Sequence, residues 1–350
     1  MSDAVPDALV PYGWDDRVAA LFSYEASPEA TPGRVTRVDR DRVTVVTSSG
    51  EHRTARGDPL PSIGDWVGVT EGGPDGDLLV TSVLARRSVL GRRGRGKSPD
   101  GQVMASNVDL VFVVVGIDRV VLNRVERELV AAWDSGATPV VVLTKVDLAE
   151  DPIEIATEVS ARAQGVDVIV TSAVTGQGID DVVAVPQPNR TVVLLGASGV
   201  GKSTLANALI GEDALATGAV REQDHRGRHT TTARSMVTLP QGGVLIDTPG
   251  IRSLGLLEFE EGLSLAFPDV EELASGCRFR DCTHRTEPGC AVREAVATGD
   301  LDPARLRSYE KLQRELAHAD RLGDPLAIRA EMRKWRAISK SVRQLPNKKL

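Results

Sequence analysis

The stretch Gly-Ala-Ser-Gly-Val-Gly-Lys-Ser-Thr, residues 196–204, constrains this chain more than any other. It matches the spacing G-x-x-x-x-G-K-[ST], follows the apolar run Thr191–Leu195 and precedes the amphipathic run Thr204–Ile210. Glycines let backbone N–H groups close on phosphate oxygens with no Cβ in the way, and the helix that follows adds the positive end of its dipole. Gly196, Ala197, Ser198, Gly199, Val200, Gly201, Lys202, Ser203 and Thr204 are therefore expected to cradle a nucleotide's phosphates. In this reading Lys202 reaches the β- and γ-phosphates, and the Ser203 hydroxyl ligates Mg2+. Such a loop demands a strand before it and a helix after it, so at least this part of the chain must be α/β.

The surrounding pattern agrees. From Asn107 onward, apolar runs such as Val108–Val115, Thr138–Leu143, Val166–Thr171 and Gly242–Asp247 alternate with helical stretches. Leu122, Val125, Leu129 and Ala132 recur at the spacing of one helix face. Apolar strands alternating with helices predict a parallel sheet covered on both faces. The run ending Asp247-Thr248-Pro249-Gly250 suits a strand end near the phosphates. There Asp247 would hold Mg2+ through water, and the Gly250 N–H would sense the γ-phosphate. The long polar stretch 221–234 reads as a first switch, with Thr231 ahead of Thr230 as the residue closing over Mg2+.

A second loop is out of order. Thr144-Lys145-Val146-Asp147 ends an apolar strand, and Thr171-Ser172-Ala173 ends the next. A carboxylate at Asp147 can accept both guanine N1–H and N2–H, which adenine does not offer, so the wrong base leaves a charge unpaired. Lys145 would lay its stem along the base and tie this loop to the phosphate loop. Backbone N–H groups of Ser172 and Ala173 would donate to guanine O6. Thr144 stands where Asn is commoner. These base motifs precede the phosphate loop, whereas ordinary GTP-binding domains have the phosphate loop first. A parallel sheet tolerates that rearrangement if its original ends lay close together and were joined. The chain break then falls after residue 250, and the second switch runs straight into the C-terminal region.

All three cysteines gather with one histidine in Cys277-x4-Cys282-x-His284-x5-Cys290. Three thiolates and an imidazole suit a closed, structural Zn2+ site. The odd cysteine count argues against a disulfide framework. Upstream, residues 31–87 hold short β-type runs separated by turns, which predicts a small barrel, the oligonucleotide-binding (OB) type being one candidate. Residues 1–30 read as a loosely held leader that Tyr12, Trp14 and Phe22 can pin in part. Residues 88–106 are a basic linker, the basic run opening at Arg86 and Arg87, either solvated or an arm for phosphates. The tail 328–350 reads as a basic surface helix with a frayed end. A net charge of −7 gives no global attraction to nucleic acid, so such binding must come from local patches. Nothing reads as a signal peptide or membrane span, and the chain is expected to be cytoplasmic.

Taken jointly, TKVD, TSA, GASGVGKST, HTTT and DTPG in this order, followed by C-x4-C-x-H-x5-C, resemble the RsgA (YjeQ) family of circularly permuted GTPases. The resemblance implies an OB-type barrel (31–87), a permuted GTPase domain (107–256) and a zinc-binding helical C-terminal domain (257–350). It implies GTP/GDP as ligand, binding to the small (30S) ribosomal subunit and its 16S rRNA late in maturation, no membrane partner, and a monomer. Ile251 stands where many GTPases carry a water-orienting Gln. Intrinsic turnover is therefore expected to be no faster than roughly 10⁻⁴–10⁻³ s⁻¹, with His229 positioning the water once the first switch is ordered.

Overall fold

A computed structural model describes residues 7–39, 41–55, 60–72, 78–92, 102–211, 234–247 and 260–323. His229, Thr230, Thr231, Gly250, Ile251 and the tail 328–350 lie outside the described residues.

The GTPase half is a sheet whose strands are β8 (Leu110–Gly116), β9 (Thr138–Thr144), β10 (Val168–Val170), β11 (Thr191–Leu195), β12 (Arg234–Thr238) and β13 (Val244–Asp247). Their spatial order is β10-β9-β8-β11-β13-β12, parallel except for β12, which pairs antiparallel with β13. Every residue of β8 is buried, as a strand covered on both faces requires. Val111, Val113 and Val115 pack toward α2 (Leu122–Asp134) and α3 (Pro152–Arg162). Leu110, Phe112 and Val114 face the other way, toward α4 (Ile179–Ala184) and α5 (Lys202–Ile210). The period-2 alternation of a strand thus divides one apolar run between two cores. On α2 the predicted face is the buried one, with Val125 and Leu129 each 1% exposed. Each such side chain contributes about 1.5–3 kcal/mol.

Residues 31–83 form β1 (Thr31–Val38), β2 (Arg42–Thr47), β3 (Gly50–Ala55), β4 (Trp66–Glu71) and β5 (Leu78–Val83). β1 pairs with β2 and β4, β2 with β3, and β4 with β5. The Thr54 hydroxyl donates to the Leu78 carbonyl, which brings β5 back to β3. That circuit is the strand order of an OB-type barrel. β1 also pairs with β12 at Arg37–Ser235 and Val38–Arg234, so barrel and GTPase share one 11-stranded sheet.

Two expectations need correction. The leader, from residue 7, is a 3-10 turn (Asp7–Tyr12) followed by α1 (Asp16–Glu25), which Asp15 caps through the Val18 N–H at 2.8 Å. Leu9, Trp14 and Val18 are buried with Trp66 and Leu84, and Trp14 meets Phe22 and Trp66 edge-on. The aromatic pins belong to a small core, so this segment is held firmly. The ends of the expected linker are also structured. β6 (Val89–Arg92) pairs with β7 (Gln102–Ser106), and Leu90 and Ala105 are buried. The high density of Arg and Gly masked those apolar positions. Gly64, at φ +86°, lets the barrel approach the end of β7 closely; a Cβ there would lie 2.1 Å from the Ser106 carbonyl.

The C-terminal region comprises α6 (Glu260–Ala266), α7 (Pro268–Ala274), the cysteine loop, α8 (Ala291–Thr298) and α9 (Pro303–Gly323). It packs on the α2 side of the sheet, where Leu263, Phe267, Val270, Leu306 and Tyr309 join the same core as Val125 and Leu129.

Candidate nucleotide site and metal centre

The parallel strands end at one edge, where the loops after β8, β9, β10 and β11 converge. Ligands of open α/β sheets bind at that carboxyl edge. Gly196, at φ +148°, sits where a Cβ would come within 2.3 Å of the Val114 carbonyl, so only glycine lets the loop leave β11 this tightly. Lys202 opens α5 and curls back, its Nζ donating to the Gly196 carbonyl at 2.8 Å and to that of Ala197. Ser203 and Thr204 are exposed on the first turn of α5. Asp247 ends β13, beside Ser235 of β12.

The base loop is joined to the phosphate loop by a residue whose role the sequence left open. Thr144 is 5% exposed, and its hydroxyl reaches the Val200 carbonyl of the phosphate loop and, at 3.3 Å, the Val115 carbonyl of β8. Lys145 was expected to make that tie. It instead adopts the left-handed conformation, φ +61°, and its Nζ pairs with Asp118 at 3.3 Å. Asp118, in the loop after β8, was not anticipated, because nothing in its local sequence marks it as Lys145's partner.

Ser172 also departs from expectation. Its N–H donates to the Gln177 carbonyl at 2.9 Å, so that donor is used within the turn. Its buried hydroxyl donates to Asp147 Oδ1 and accepts the Val174 and Thr175 N–H groups at 3.3 and 3.2 Å. Ser172 thus fixes one oxygen of the Asp147 carboxylate.

The cysteine loop brings its expected ligands together. Cys277 Sγ lies 3.6 Å and Cys290 Sγ 3.5 Å from His284 Nδ1, and the two sulfurs are 3.9 Å apart. With Cys282, all four ligand atoms lie within 4.8 Å of one another. A tetrahedral ion with Zn–S bonds of about 2.3 Å and Zn–N of about 2.0 Å spaces its ligand atoms at about 3.5–3.8 Å. The donor set and spacing fit Zn2+ with no open position. Glu287 organises the loop, accepting from the Thr283 N–H and hydroxyl and from the Arg285 and Thr286 N–H groups. Those bonds hold its carboxyl well below the usual range.

Behind α2, Arg305 of α9 is 2% exposed and gathers partners from several elements. Its guanidinium meets Asp269 at 3.0 and 2.9 Å, Glu126 at 2.9 Å and the Ala266 carbonyl at 2.8 Å, and lies 4.0 Å over Phe267. Arg162 of α3 joins through Glu126 at 3.3 Å and Asp302. This clasp fastens the C-terminal region to the base-reading half of the GTPase. Its members are far apart in sequence, which hides it from any local pattern.

A base-reading loop that precedes its phosphate loop in a parallel sheet, with a barrel before and a Cys3His helical region after, defines a circularly permuted P-loop GTPase. The sequence model of the RsgA GTPase family matches residues 83–257. The small ribosomal subunit biogenesis GTPase RsgA of Streptomyces coelicolor is 47% identical over 337 residues, covering 93% of this chain and 91% of that protein. RsgA 1 of Listeria innocua is 40% identical over 94% of each. The crystal structure of YjeQ from Thermotoga maritima, 29% identical, superposes with a TM-score of 0.61 over 82% of this chain and 99% of its own. YloQ, described as a circularly permuted GTPase, gives 0.60 at 26% identity over 84% of this chain and 97% of its own. The chain belongs to the RsgA GTPase family, and it hydrolyses GTP.

Proposed function

We propose that this GTPase binds the small ribosomal subunit and its 16S rRNA late in maturation, that the subunit stimulates hydrolysis, and that hydrolysis releases the protein. The observation that carries the reading is the base loop bridged to the phosphate loop through Thr144, in a chain whose 40–47% identical relatives are named for small-subunit biogenesis. The working units are the barrel (31–87), the hairpin-ended basic segment (88–106), the permuted GTPase (107–256) and the zinc-binding helical region (257–350). The protein acts as a cytoplasmic monomer; no helix among the described residues is long and apolar enough to cross a membrane.

In this reading Asp147, held by Ser172, accepts guanine N1–H and N2–H, and the Ala173 N–H donates to O6. Lys145 lies along the base. Lys202 exchanges the carbonyls of its own loop for β- and γ-phosphate oxygens, which satisfy its charge better. The exposed Ser203 hydroxyl, a hard oxygen donor, suits Mg2+, which together with Thr231 and water on Asp247 would neutralise phosphate charge. Gly250 senses the γ-phosphate, and His229 orients the attacking water. β12 begins where the first switch ends and pairs at once with barrel strand β1, so the γ-phosphate state has a direct route to the barrel.

Co-sedimentation with purified small subunits tests the release step. More protein should pellet with a non-hydrolysable GTP analogue than with GDP, and binding should fall steeply with salt, as phosphate contacts dictate. Equal binding in the two nucleotide states rejects nucleotide-controlled release.

A further inference from the structure

A polar cavity of about 380 Å³ lies at the opposite end of the parallel sheet from the phosphate loop. It is bounded by α1, by β1 and β4 of the barrel, and by the residues that lead into β8 and β11. Its volume far exceeds the roughly 30 Å³ share of one water.

Its floor is Arg34 of β1, 2% exposed. One face of that guanidinium stacks on Trp66 at 4.5 Å. Nη2 donates to the Asn107 carbonyl at 3.3 Å and to Thr191 Oγ1 at 3.2 Å. Nε is buried with no partner. Among the described residues, no carboxylate lies at ion-pair distance from Arg34. Stacking uses the face of a guanidinium and leaves its in-plane donors to find acceptors, so a buried arginine in this state is incomplete. Burial, opposed by Asp65 and reinforced by the neighbouring Arg87, pushes Arg34 down to about 9, which still leaves it cationic at neutral pH.

The rim adds to the imbalance. Arg17, Arg87 and Arg190 also line the cavity and are exposed. Arg17 and Arg190 each repel the Arg87 guanidinium. The lining carboxylates are Asp15, which attracts both Arg34 and Arg87, and Asp109, so four guanidinium groups face two carboxylates. Asp15 caps α1 through the Val18 N–H at 2.8 Å; Asp109 accepts from the Thr191 N–H at 2.7 Å and pairs with Arg87. Arginines gathered around one void, the deepest lacking a counter-ion, lack a multiply charged acceptor.

We propose that this cavity binds a phosphate-class oxyanion, with Arg34 as the floor and Arg17, Arg87 and Arg190 as the rim. Planar guanidinium forks suit phosphate oxygens, and the exposed rim funnels anions toward the buried donor. The phosphate is either free or a phosphodiester of an RNA backbone; both present the same oxygens. The cavity is separate from the nucleotide site, since β11 runs from Thr191 in its wall to Leu195 below the phosphate loop.

The test uses the full chain loaded with GDP and Mg2+, so that the phosphate loop is filled. Inorganic phosphate is titrated at constant ionic strength while tryptophan fluorescence is followed, since Trp14 and Trp66 line the cavity. A labelled single-stranded RNA without a terminal phosphate is titrated in parallel by anisotropy. The variants are Arg34→Met and, because a buried substitution can fail to fold, the exposed double variant Arg17→Gln/Arg190→Gln, checked for wild-type GDP affinity and melting. The proposal predicts a saturable response of the wild type to phosphate, weakened at least about five-fold in the double variant and lost in Arg34→Met. A parallel loss of RNA affinity assigns the site to backbone phosphate, and unchanged RNA affinity assigns it to a free anion. No saturable response in the wild type, or an undiminished one in the double variant, overturns it.

Discussion

Thr144 carries the most information per residue. Placed where Asn is commoner, it reads in the sequence as a departure that leaves its part in base contact open. In the folded chain its hydroxyl bridges carbonyls that lie 29 and 56 residues away, and no local pattern reports bonds of that range. Thr144→Val keeps the shape and leaves those carbonyls short of a donor, at a cost of about 1–3 kcal/mol. The expected result is a roughly five- to ten-fold weaker GDP affinity by fluorescence titration, with guanine still preferred over adenine. Loss of base preference instead would place Thr144 at the base itself. Asp147 is the complementary case. Its position at a strand end, with Thr171–Ala173 one strand later, was legible because strand-end loops are local in sequence. The Ser172 hydroxyl that holds it was not, since the motif suggests only backbone donors there. Asp147→Asn should weaken GDP binding by at least about a hundred-fold and confer binding of xanthosine diphosphate, because the amide reverses the donor pattern that the base must match. A variant that binds GDP as tightly as the wild type removes Asp147 from base reading.

At the scale of elements, the cysteine loop and the Arg305 clasp do different work. The loop's ligands were readable because all four fall between residues 277 and 290. Its polar sequence offers little apolar surface, so metal binding supplies much of its folding energy. Chelation, or Cys282→Ser, should lower the melting temperature of the C-terminal region while GDP affinity stays within about two-fold, as the centre lies behind α2 and away from the strand edge. A collapse of GDP binding on chelation would contradict that separation. The clasp was invisible in sequence, since Arg305 reaches Glu126 across 179 positions. Arg305→Met leaves buried Glu126 with Arg162 as its remaining cation and half-buried Asp269 without its arginine. It should cost about 3–5 kcal/mol in denaturant unfolding, part of which the triple variant with Glu126→Gln and Asp269→Asn restores. A loss below about 1 kcal/mol would mean that the clasp contributes little to docking.

For the molecule as a whole, the order of motifs along the chain was the most telling sequence signal, and it is realised in the strand order β10-β9-β8-β11-β13. Alternation of apolar runs and helical faces made that sheet readable. The attachments of its two flanks were not. The barrel joins through β1–β12 and the close approach at Gly64, while the zinc-binding region docks on α2 and α3. Such junctions depend on single contacts between distant residues rather than on periodicity. They leave the GTPase sheet held from both sides. The most direct measurement is steady-state GTP hydrolysis by the purified chain with and without purified small ribosomal subunits. The account predicts slow turnover alone, on the order of 10⁻³ s⁻¹ or below, and at least a ten-fold rise with small subunits that Lys202→Ala abolishes. Turnover that small subunits leave unchanged would contradict it.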